Sequence, residues 1–143
     1  QFCPEALATA GVMTARRPTD SQQADIAFAA PLVRRLAEAD IGQSLAVRDR
    51  EVIAVEAIEG TDRMIERAGQ LCPSGGWVLL KVAKAHQDMR MDVPTVGPRT
   101  IEKLHAAGGG CLAVQAGKVL IADREQTIAL AEKMKISVVG VEL

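Results

Sequence analysis

Apolar residues in this chain recur at two spacings, one helical and one extended, and the switch between them marks out the elements. The first clear run follows Pro18. Thr19 with Gln22, or Asp20 with Gln23, fits a capping box, and Ile26, Ala30, Val33, Leu36 and Ala37 then fall at helical spacing. Pro31 removes one backbone bond and crowds the preceding turn, so the pattern predicts a kink or a restart there. Asp40-Ile41-Gly42 closes this helix. Leu45 to Val47 and Val52 to Ala57 are short apolar runs on either side of the polar "RDRE", which predicts a β-hairpin. "GTD" at Gly60 to Asp62 starts a second helix, with Thr61 or Asp62 as its cap. Met64, Ile65 and Ala68 face inward, and that helix is expected to end by Gly69.

Trp77 to Val82 is apolar almost without interruption, the pattern of a strand covered on both faces at the centre of a sheet. Gly97-Pro98 opens a third helix, with Pro in its favoured first turn and Ile101, Leu104 and His105 on one face; Gly108 to Gly110 ends it. Leu112 to Gln115 and Val119 to Ala122, around Ala116-Gly117, predict a second hairpin. A helix over Asp123 to Lys133 and a strand over Ile136 to Val141 complete the chain. "LAVRDREVIA" from Leu45 is similar to "LAVQAGKVLI" from Leu112, which fits an old duplication and fits two ordinary hairpins equally. Residues 1–17 show no period and read as a lead-in or linker. Residues 18–143 are expected to form a single α/β domain, a mixed sheet of about five or six strands with hairpins and packed helices.

The chain has 143 residues, enough to bury one real core. A formal net charge of -1 and 2% aromatic residues argue against a nucleic-acid partner. No apolar run approaches the ~18 residues of a membrane span, which leaves peripheral membrane contact at most. The opening "QFCPEALATAGVM" lacks a basic stretch followed by a long apolar one, so no secretory signal is expected. A start on Gln1 rather than Met leads us to expect part of a longer chain. Cys3, Cys72 and Cys111 are odd in number and lack CxxC spacing, the usage of reduced thiols in a cytosolic protein without a zinc site.

Polar groups concentrate where elements end. Glu56 and Glu59 close a strand and Asp62 opens a helix; Lys81 and Lys84 lie on or just after the Trp77 strand. Asp88, Arg90 and Asp92 then alternate with Met89, Met91 and Val93, so in an extended segment the charges share one face. Ligands of α/β sheets bind beyond the carboxyl ends of strands. Carboxylates beside Lys and Arg suit a phosphate ester held with Mg²⁺, the carboxylates taking the metal and the cations the phosphate oxygens. The competing reading is plainer: a solvated, self-paired Asp-Arg-Asp face, a solvated strand end at Glu56 and Glu59, a cap at Asp62 and a snorkelling Lys81. His86 and His105 lack helical metal-ligand spacing, and His105 is expected to be packed or half-exposed. No GxSxG, Walker A or GxGxxG pattern occurs.

The segments "PTDSQQADIAF", "DIGQSLAV", "AVEAIEGTDRMIERAG", "KVAKAHQDMRMDVPTVGPRTIE" and "VVGVE" follow one another over roughly Gly11 to Glu142. In this order they resemble the C-terminal domain of the bacterial UDP-2,3-diacylglucosamine pyrophosphatases of the LpxI type. The resemblance implies Mg²⁺-dependent hydrolysis of UDP-2,3-diacylglucosamine to UMP and lipid X in lipid A synthesis. It also implies a Rossmann-like N-terminal domain, absent from this chain, with substrate held between the two domains. Carried onto this sequence, it makes Asp92 the first choice for the catalytic aspartate, with Asp88 and Arg90 beside it. Lys81, Lys84, Gly60, Thr61, Thr95 and Gly97 become substrate-binding residues, and Asp92, Asp88, Glu59 and Asp62 the metal ligands. Implied partners are UDP-diacylglucosamine or lipid X, the missing N-terminal domain and, as a further option, a second copy in a homodimer. The implied location is the cytoplasm, at most peripheral to the inner membrane. Relatives read Lys-Pro-Gly-Gln-Asp where this chain has Lys84-Ala85-His86-Gln87-Asp88, a change in the turn before Asp88. A non-catalytic module binding a nucleotide sugar or acyl phosphate is the alternative.

Overall fold

The computed structural model describes residues 6–84 and 93–143. In chain order its elements are β1 (Gly11–Val12), α1 (Asp20–Glu38), β2 (Ser44–Arg48), β3 (Glu51–Val55), α2 (Thr61–Leu71) and β4 (Trp77–Lys81). These are followed by β5 (Thr95–Val96), α3 (Pro98–Ala107), β6 (Gly109–Gln115), β7 (Leu120–Ile121), α4 (Arg124–Lys133) and β8 (Ser137–Val141). A six-stranded mixed sheet has the order β1-β8-β6-β4-β2-β3, and β5 and β7 pair in a separate two-stranded sheet. The expected mixed α/β domain is therefore observed, with β4 inside the sheet between β6 and β2.

The core divides into two layers because β4 presents apolar side chains to both faces. Trp77 and Leu79 join Met64, Ile65 and Ala68 of α2, Ile101 and Leu104 of α3 and Ala131 of α4. Val78 and Leu80 point the other way, onto Ala29, Val33 and Ala37 of α1. The buried stripe of α1 repeats every four residues from Asp25 through Ala29 and Val33 to Ala37, the spacing of one helix face.

Of the two capping boxes open at the start of α1, the chain uses Thr19 with Gln22. The helix runs through Pro31 as one element without a restart. Pro31 and Ala27, whose carbonyl loses its partner, both lie on the exposed side, so water can satisfy the orphaned group. The helix ends in a Schellman arrangement: Ile41 N–H donates to the Leu36 carbonyl and Asp40 N–H to that of Ala37, with Asp40 left-handed at φ 58°.

The β2–β3 hairpin forms as expected. Its two turn residues, Asp49 and Arg50, have φ of 51° and 58°, the type I′ pattern. Neither is glycine, and the strain is held by α1: the buried Asp25 carboxylate accepts from Asp49 N–H at 3.1 Å and Arg50 N–H at 2.7 Å.

The second expected hairpin does not form. Both edges of β6 are occupied, by β4 and by β8, each parallel to it. The chain therefore turns away at residues 116–119, and β7 pairs in parallel with β5. The two similar stretches share a first strand and part ways after it. The lead-in is also more than a linker, because β1 pairs with β8 antiparallel at the sheet edge. Helix α2 reaches Leu71, two residues past the expected end at Gly69. His105 lies on the exposed side of α3, whose inner face is formed by Ile101 and Leu104 with Ala107 packed beside them.

Cys72 and Cys111 form no disulfide, and burial pushes the Cys111 thiol up to about 12. Replacing Asp25 by Ala should lower the free energy of unfolding by about 1–3 kcal/mol, because two turn N–H groups lose a buried acceptor. Urea unfolding of the variant beside the parent protein measures this. An unchanged midpoint would show that the turn holds itself.

Candidate functional site

Strand β3 runs antiparallel to β2, which runs antiparallel to β4. The carboxyl ends of β3, β4, β6 and β8 therefore share one edge of the sheet. Helix α2 leaves that edge directly from β3, and the described chain resumes at the same end of the domain with β5 and α3. Helices α2 and α3 lie side by side in parallel, because Arg99 pairs with Asp62 at 2.9 Å and, one turn on, Lys103 pairs with Glu66 at 2.8 Å.

Four polar side chains from separate elements meet at this edge. The Thr61 hydroxyl donates to Glu56 Oε1 at 2.9 Å, Lys81 Nζ donates to Thr61 Oγ1 at 3.1 Å, and Ser44 Oγ lies 3.5 Å from the same hydroxyl. Strand register explains the meeting, since Ser44 stands opposite Lys81 in the β2–β4 ladder. Burial holds the Lys81 ammonium below the usual lysine range, against the opposing pull of Glu56 and Asp62.

Two glycines set this geometry. Gly60 caps α2 at φ 90° and ψ 164° with open space around it, so the backbone angle itself demands glycine. It offers no side-chain cap, and Thr61 and Asp62 lie inside the first turn of the helix instead of capping it. Gly42 answers a different need: a Cβ there would sit 1.8 Å from the Glu56 carbonyl oxygen. That approach lets Glu56 N–H reach the Ser44 carbonyl at 3.0 Å.

The loop between Glu56 and Gly60 is clamped from α2. Arg67 donates from Nε to Glu59 Oε2 at 3.1 Å and from its terminal nitrogen to Glu59 Oε1 and the Val55 carbonyl, both at 2.8 Å. The guanidinium holds the Glu59 carboxyl below the usual carboxylate range.

The profile of the LpxI C-terminal domain matches residues 9–139. This chain belongs to the LpxI C-terminal domain family. Over 132 residues it is 37% identical to the UDP-2,3-diacylglucosamine pyrophosphatase LpxI of Caulobacter vibrioides, covering 87% of this chain and 47% of that protein. The chain thus spans about half the length of the LpxI protein it matches.

Of the candidate residues, Lys81, Gly60 and Thr61 come together at the LpxI edge, with Asp62 in the same first turn. Lys84 lies just beyond β4 and pairs with Asp40 at 3.3 Å. Thr95 opens β5, exposed, and donates to the Val93 carbonyl at 3.1 Å. Gly97 caps α3 and donates its N–H to Thr100 Oγ1 at 3.1 Å. Asp88, Arg90 and Asp92 lie outside the described residues. Glu59 and Asp62, expected as metal ligands, are bound by Arg67 and Arg99. Among the described residues no group of three His, Cys, Asp or Glu converges on a metal position.

Ser44 joins the cluster although it was not a candidate, and Glu56 joins it from the carboxylates at the strand end. Glu56 was weighed as a solvated strand end, yet it is only 8% exposed. Its neighbour Gly42 was the available signal, because a glycine just before a strand permits close backbone approach. Changing Gly42 to Ala should destabilise the domain by about 1–3 kcal/mol, since the new methyl meets backbone instead of a movable side chain. Thermal unfolding tests it, and an unshifted melting temperature would count against this contact.

Proposed function

We propose that this chain is the C-terminal part of a UDP-2,3-diacylglucosamine pyrophosphatase, acting in the cytoplasm to give UMP and lipid X. The observation that carries the reading is the Lys81–Thr61 contact at the carboxyl edge of the sheet, within the segments matched to LpxI. Lys81 supplies a cation for a pyrophosphate oxygen, and helix α2, capped by glycine alone, offers first-turn N–H groups of the kind that bind phosphate. Among the described residues no helix is long and apolar enough to cross a membrane, which suits an enzyme that meets its lipid substrate from the aqueous side.

In this reading Asp92 is the catalytic carboxylate, with Asp88 and Arg90 as its neighbours. Its part is to orient the attacking water and accept its proton. The described residues do not by themselves fit a Mg²⁺ centre, because Glu59 and Asp62 are taken up by arginines. A Mg²⁺ requirement therefore rests on Asp88 and Asp92.

Full-length protein should hydrolyse UDP-2,3-diacylglucosamine, and the Asp92→Ala variant should lose about 10²–10⁴-fold in kcat. Substrate affinity and melting temperature should change little, because the lost interaction belongs to the transition state. Near-parental kcat would remove Asp92 from the chemistry. EDTA should abolish turnover and added Mg²⁺ restore it; full activity in EDTA would end the metal assignment. Binding of the UDP sugar without any hydrolysis would favour a non-catalytic module.

A further inference from the structure

Glu56 is a nearly buried carboxylate, 8% exposed, and no arginine or lysine pairs with it directly in the ion pairs of the described residues. Glu59, three residues on, has the more usual solution, an arginine fork. Burying a carboxylate costs free energy unless hydrogen bonds offset it, and here the offsetting donor is the Thr61 hydroxyl at 2.9 Å. A hydroxyl carries one proton, and an ionised carboxylate can only accept. With the Thr61 hydrogen directed at Glu56, only lone pairs remain to face Lys81, whose Nζ stands 3.1 Å away. The polarity of the whole chain, ammonium to hydroxyl to carboxylate, is thus set at its Glu56 end.

The hydroxyl also acts as a spacer. A carboxylate in direct contact with Lys81 would compete with any incoming anion. With Thr61 between them, Lys81 uses one donor on the hydroxyl, and two of the three ammonium donors stay unused by Thr61. Glu56 is itself fixed through the backbone by its bond to the Ser44 carbonyl and its close approach to Gly42.

We propose that Glu56 is a positioning residue: acting through the Thr61 hydroxyl, it aims the Lys81 ammonium at the pyrophosphate oxygens of the substrate. This deepens the function proposed above and rests on it for the substrate's identity.

The test uses full-length protein carrying Glu56→Gln, Thr61→Val, Thr61→Ser, or Glu56→Gln with Thr61→Val. For each, turnover of UDP-2,3-diacylglucosamine, binding of inorganic pyrophosphate by calorimetry, and melting temperature are measured. Glu56→Gln and Thr61→Val should each lower kcat/KM by about tenfold or more and weaken pyrophosphate binding. Thr61→Ser, which keeps the hydroxyl, should recover most of what Thr61→Val loses. The double variant should fall no further than the worse single one, because both changes cut the same chain. Glu56→Asp, whose carboxylate stops one methylene short of Thr61, should show the same loss and replaces Glu56→Gln if that variant melts early. Parental kcat/KM and pyrophosphate affinity in the Glu56 variants, or a double loss equal to the product of the single losses, would overturn the proposal. A full-length protein that never hydrolyses the UDP sugar, yet shows this pattern in pyrophosphate binding, would end the functional reading and leave the role of Glu56 standing.

Discussion

Strand β4 has no side that tolerates water. Trp77 and Leu79 need cover on one face and Val78 and Leu80 on the other, so the domain must place helices on both faces of the sheet. The remaining topology follows from that demand. Helix α1 closes one face, and α2, α3 and α4 close the other. Hydrogen bonding at the strand edges is met by β2 on one side and β6 on the other. A fully buried strand with both edges paired is the least movable part of such a sheet, and Lys81 stands at its end.

Legibility in the sequence followed the range of the interactions. The periodicity of α1, the two-sided burial of β4 and the first hairpin are local patterns, and each was readable. The second hairpin was misread because apolar spacing cannot reveal that both edges of β6 are occupied. No restart occurs at Pro31, whose lost bond falls on the side of the helix that faces solvent. Thr61 and Asp62 were plausible caps by residue type, but the positive φ of Gly60 moved the cap back by one position.

The same division holds at the site. Lys81, Thr61 and Gly60 were singled out through motifs that lie in continuous stretches, and the structure brings them together. Ser44 and Glu56 depend on the β2–β4 and β2–β3 ladders, so their nearness to Lys81 follows only from the paired register. Glu59 and Asp62 carry the right chemistry for a metal. In the structure their carboxylates pair with Arg67 and Arg99, one on α2 itself and one on α3.

The parallel packing of α2 and α3 bears on the chain between β4 and α3. Its near stem is tied through Lys81 to Thr61 and its far stem through Arg99 to Asp62, two consecutive residues of one helical turn. The turn that gathers the polar cluster also ties the end of β4 to the first turn of α3.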